Sequence, residues 1–140
     1  MNLLPQIRNN LVALISLCIA IFSVFYAGWR DNRIEEHRNI RVAGFEVLKN
    51  LGELQMVVDY AHYQKDRQLG NPITGWGRVL LVRDLAQVMP DPAPQAAERV
   101  FQSWQNEWES VADDEAAAKR VSDEIAGARK IVLEVLATLE

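Results

Sequence analysis

Asp59 and His62 stand three positions apart, a spacing that puts a carboxylate and an imidazole on one helical face. Helical di-metal sites use such a pair twice, together with two further glutamates. No second pair occurs here. The only other histidine, His37, directly follows Glu36, and adjacent helical positions point apart. Asp59 and His62 are therefore the only metal candidates, and a surface contact between the two is the plainer reading. The sequence has no Gly-x-Ser-x-Gly elbow, no phosphate-loop lysine and no dinucleotide fingerprint. Gly70, Gly75 and Gly77 crowd one segment, but without the Lys-Ser/Thr ending that holds phosphate. The one cysteine, Cys18, sits inside an apolar run, which excludes it in practice as a nucleophile. Glu35–Glu36 and Asp113–Asp114 read as solvated or capping positions at helix ends. On these grounds no catalytic residue, metal or cofactor is expected.

Residue types suited to binding are more prominent. Trp104 and Trp108 are one helical turn apart, and Trp76 and Arg78 follow the glycine-rich segment. Large rings fill the core of a small bundle. Tryptophan and arginine are also enriched in the centres of interfaces. These four residues are the candidates for a partner-binding surface. Arg83 and Asp84 interrupt an otherwise apolar stretch and read as surface positions or as a buried polar pair.

The elements that would position them follow from charge and periodicity. The chain has 140 residues, room for one compact domain and an anchor. From Leu11 to Trp29 there is no charged residue, whereas 14 bases and 19 acids lie at or after Arg30, a net −5. An acidic domain repels phosphate backbones, so no nucleic-acid partner is expected. The 18 residues Leu11–Gly28 span about 27 Å as a helix, enough for a hydrocarbon core. Tyr26 and Trp29 suit the interface, and Arg8, Arg30 and Arg33 flank the run. Bulky Phe25 and Leu17 stand where a cleavage site or a lipoprotein cysteine would need small residues. The expectation is an uncleaved single-pass signal anchor at residues 11–29, behind a tail of residues 1–10. Counting bases alone puts the bulk of the chain in the cytoplasm. The interleaved Asp31, Glu35 and Glu36, and the short polar stretch ahead of the run, tip the expectation to the extracytoplasmic side of a bacterial inner membrane.

Residues 30–140 read as helix almost throughout. Ile40, Gly44, Val47, Leu51, Leu54, Val58 and Ala61 recur at alternating spacings of four and three, a coiled-coil-like stripe that Phe45, Leu48 and Val57 widen. Ala97, Phe101, Trp104, Trp108 and Val111 repeat the pattern. So do Ala118, Val121, Ile125, Ala128, Val132, Val135 and Leu139. Helices are predicted at about 31–68, 76–89, 94–112 and 114–139. Residues 69–77 form a loop, and Pro90, Pro92 and Pro94 a stiff connection. The fold class is all-α, a small antiparallel three- or four-helix bundle, its first helix running on from the membrane segment without a strong breaker. The functional expectation is a non-enzymatic interaction module, an accessory or scaffold subunit whose partners are the lipid bilayer and another membrane or membrane-associated protein, or a second copy of itself. A sensor domain that binds a small ligand and signals through a partner is the second reading. A metal-dependent enzyme resting on Asp59 and His62 is the remote third.

Overall fold

The structure is a computed structural model and describes residues 10–139. Among these there are four helices and no strand: α1, Leu11–His62; α2, Pro72–Ala86; α3, Ala93–Glu107; and α4, Glu115–Ala137. The chain divides into two compact units, the first ending at His37 and the second beginning at Arg38. Helix α1 contributes to both.

Within the first unit, the apolar residues of α1 face outward along its length: Val12, Phe22, Val24 and Phe25 are all more than two-thirds exposed. The hydroxyls of Ser16 and Ser23 donate to the carbonyls of Val12 and Ile19, at 2.8 and 2.7 Å. Both polar side chains are thereby satisfied inside the helix. Tyr26 packs against Trp29, and the guanidinium of Arg33 lies 5.2 Å from the centre of the Trp29 ring.

The second unit is a four-helix bundle. Six of the seven stripe residues of α1 are buried, Ala61 being half-buried, and all seven of the α4 stripe are buried. Polar contacts fix the two helices antiparallel. Arg41 donates to the Leu139 carbonyl, Arg129 to that of Leu48 and Gln55 to the Ser122 hydroxyl, while His62 Nδ1 lies 3.0 Å from the Val111 carbonyl. Residues 41, 48, 55 and 62 are each seven apart, so one edge of α1 meets the α4 side at every second turn. On its other edge α1 meets α2 through Arg78 against Glu53, and the Met89 side chain, just beyond α2, reaches near Gly44. Helix α3 packs on both α2 and α4.

Four expectations are corrected. Helix α1 ends at His62 rather than near 68. Lys65 takes a left-handed φ of 54°, and the Asp66 N–H turns back to the Tyr60 carbonyl at 3.0 Å. Helix α2 begins at Pro72, inside the segment expected to be loop. The Asn71 side chain accepts from the Ile73 N–H at 2.9 Å, and Pro72 occupies a first turn whose N–H needs no partner. Helix α3 ends at Glu107 rather than 112, because residues 108–113 wind through tight turns that reverse the chain ahead of the Asp114 cap. Finally, Phe45 does not widen the core stripe. It is 63% exposed, since α2 and α4 cover the flanks of α1 on either side of it.

Candidate functional site

The residues singled out from sequence fall into three places. Arg8 lies outside the described residues. Tyr26, Trp29, Arg30 and Arg33 cluster in the first unit, where Arg30 also sits 3.6 Å from Asp31. The remainder belong to the bundle.

Asp59 and His62 are engaged separately. The Asp59 carboxylate accepts from the Gln55 amide at 2.8 Å, and His62 joins the end of α1 to the turn after α3. Among the described residues no three His, Cys, Asp or Glu side chains converge as metal ligands do.

Arg78 is also held. Its Nε lies 2.8 Å from Glu53 Oε2, and its Nη1 donates to the Asn50 side chain at 3.3 Å. Asn50 is buried and returns its own amide N–H to the Glu46 carbonyl at 2.8 Å. This polar knot between α1 and α2 escaped the sequence reading. Its signal was Asn50 at the 4,3,4,3 spacing of Ala43, Val47, Leu54 and Val57, all of which are buried.

The tryptophans divide. Trp104 is 1% exposed and is the largest fully buried side chain. Its benzo edge lies over Gly75 so closely that a Cβ there would fall inside the ring's van der Waals envelope. This contact explains why a glycine stands at the first turn of α2. The Trp104 Nε1–H is buried and has no acceptor among the described residues. Trp76 and Trp108 are half-buried and meet edge to face, at 6.3 Å between ring centres. Trp76 also meets Phe101 at 5.9 Å, and the Arg83 guanidinium lies over the Phe101 ring at 4.2 Å.

No protein family, curated protein or solved structure matches this chain.

The bundle has one end where these residues converge on open space. Where α1 stops, α2 starts and the α3–α4 turn crosses, two adjoining cavities share Ala61, Gly70, Pro72 and Ala112. The smaller one, about 280 Å³, is lined by Trp104, Trp108 and Val111, with Glu109 among them. The larger of the two, about 430 Å³, is bordered by Lys65, Asp66, Arg67 and Asp113. Gly70 keeps the floor of the cleft thin. A Cβ at that position would collide with the Ala61 backbone. The charges at the mouth are unequal in their commitments. The Asp66 carboxylate accepts from the Gln68 and Leu69 N–H groups. Lys65 bonds the Ala112 carbonyl and lies 3.6 Å from Asp113. Arg67 has no ion pair or hydrogen bond among the described residues. Sequence reasoning missed Lys65, Asp66 and Arg67, whose roles depend on a turn that only the ending of α1 creates.

The base of α3 is tied to α4 by a two-pronged ion pair, Arg120 Nε and Nη2 donating to the Glu107 carboxylate at 2.7 and 2.9 Å. The hydrogen bonds from Arg120 hold the Glu107 carboxyl below its ordinary value. A lowered folded-state pKa means the pair's stabilisation is complete above the unfolded pKa and is lost as pH falls through the folded one. The contribution should therefore fade from about pH 5 downward. Glu107→Gln should flatten the dependence of the denaturation midpoint on pH in that acid window and leave its slope near neutrality unchanged. An unaltered acid slope would show that the pair does not form in solution.

Proposed function

We propose that this chain is a single-pass, membrane-anchored helical module of a bacterial inner membrane whose bundle works by binding rather than by catalysis. The observation that carries the reading is that α1 contains an 18-residue window apolar enough to cross a bilayer of which no part is buried in the protein. Each large side chain left in water forgoes roughly 1.5–3 kcal/mol of transfer free energy, so a dozen of them together need lipid. The intrahelical serine hydrogen bonds and the Trp29–Arg33 stack at one end agree with a helix whose polar groups must be satisfied without water. The role is that of an accessory or scaffold subunit, with the bundle presented on the extracytoplasmic side.

Deletion of residues 1–29 should convert the protein from one that resists alkaline carbonate extraction of membranes to one found wholly in the soluble fraction. Retention of the truncated protein in the membrane pellet would overturn the anchor. A cysteine placed at the exposed Ser110 should react with a membrane-impermeant maleimide on intact spheroplasts. Labelling only after lysis would reverse the side.

A further inference from the structure

We infer that the outer face of α1 and α2 is where two copies of this chain pair, α1 against α1 in parallel, about a two-fold axis. The inference names the partner of the binding module proposed above and rests on that reading.

The apolar surface of the bundle is segregated. Of the ten large apolar side chains it exposes among the described residues, nine lie from Val42 to Val88, one, Leu133, lies on α4, and none lies on α3. At roughly 100 Å² each, the nine come to about the 800 Å² that each partner of a stable complex buries. On α1 they fall in a second stripe. Val42, Phe45, Lys49, Gly52, Met56 and Tyr63 follow steps of 3, 4, 3, 4 and 7, the heptad step of the core stripe, on the side of the helix away from it. The four large apolar members are more than half exposed. Leu81 extends the face onto α2, on the opposite side of the Arg78 bridge from the buried Val79 and Val82.

Period, charge and anchoring choose the occupant. A heptad step is the signature of a helix packed lengthwise, which a lipid surface or an irregular peptide does not require. The stripe runs for about 33 Å, so the partner is a long helix, and α1 itself is one. Residues 38–89 carry seven bases and five acids, whereas residues 90–140 carry five bases and eleven acids. Two copies therefore repel through α3 and α4 and approach through α1 and α2. In a two-fold pair each stripe residue meets its own counterpart. Gly52 admits the close approach, since only the tip of Arg129 stands within 4 Å of where its Cβ would be. Lys49 is the one charge in the stripe, and a single lysine in an apolar seam fixes its register. Anchoring in one bilayer confines both copies to two dimensions and threads both the same way, which raises their effective concentration and makes the pair parallel.

The test uses the full chain in membranes, in a Cys18→Ala background so that each variant has one cysteine. Val42→Cys and Met56→Cys should both form disulfide-linked dimers on mild oxidation. Gln102→Cys on α3 and Lys130→Cys on α4, equally exposed, should not. Phe45 is exposed, so Phe45→Asp should keep the helical circular dichroism of the parent. It should cut the Met56→Cys dimer about tenfold or more, the loss of one large apolar side chain from the seam. No dimer at positions 42 and 56, or equal dimer at 102 and 130, overturns the proposal. An adduct whose mass is not twice that of the chain gives the face to a different protein and overturns it too. So does quenching of a bimane on Met56→Cys by doxyl-labelled phosphatidylglycerol, which gives the face to lipid. Carbonate extraction is read on the same membranes. A chain that dimerises but washes out loses the anchor and keeps the pairing; one that stays and does not dimerise keeps the anchor and loses the pairing.

Discussion

Trp104→Ala is expected to lower the stability of the bundle by about 3–5 kcal/mol, as truncation of a fully buried tryptophan does. A small domain has only about 5–15 kcal/mol in total, so the variant should be partly unfolded at physiological temperature. The reason is specific to this ring. It is 1% exposed and packed directly against the backbone of α2 at Gly75. Trp76→Ala and Trp108→Ala should cost less, about 1–3 kcal/mol each, since both rings are half-buried and their gain comes partly from the edge-to-face contacts they share. Denaturant titration followed by helical circular dichroism gives the ordering directly. A Trp104→Ala variant more stable than either of the others would mean that the ring does not occupy the core position described.

Gly75→Ala is expected to be as damaging as many core truncations, although it adds a single methyl group. Alanine ordinarily stabilises a helix interior by about 1 kcal/mol over glycine. Here the new Cβ enters the space of the fully buried Trp104 ring, so the ring must shift from its packed position. Overpacking of this kind typically costs about 1–3 kcal/mol, so the net loss should exceed the propensity gain. The decisive measurement is the pair. In a Trp104→Leu background the smaller side chain withdraws from the α2 backbone, and Gly75→Ala should become neutral or stabilising, a coupling of about 1–3 kcal/mol between two residues in contact. Equal destabilisation in both backgrounds would assign the cost to something other than this contact.

The bundle was legible in the sequence because its helices pack through long, regular stripes. A residue at each alternating three- or four-step of α4 has one partner direction, so periodicity alone finds Ala118 to Leu139. The same logic fails at Phe45. A helix held by neighbours on both flanks hides residues such as Asn50 and Leu48 while leaving its outermost face uncovered. The start of α2 was written locally, in Asn71 and Pro72, but glycine at 70, 75 and 77 outweighed it. Two of those three glycines answer to close contacts, with Ala61 across the turn and with Trp104 in another helix, that residue type alone does not announce. The cleft was the least legible feature. Ala61, Arg67, Pro72, Trp108 and Ala112 span some fifty residues and meet only because α1 stops at His62. The tryptophans were visible both as candidates and as core; which of them would be fully buried and which half-buried was not.

The seam between α1 and α4 also has a direction in time. Arg41 and the carbonyl it bonds are 98 residues apart, so the ribosome finishes the stripe from Ile40 to Val58 long before it makes the helix that covers it. At about 5–20 residues per second the uncovered interval lasts roughly 5–20 seconds. Throughout it that stripe lacks the helix that joins it in the finished bundle. The last helix is thus a latch, and no chain interrupted before α4 is complete can close the bundle.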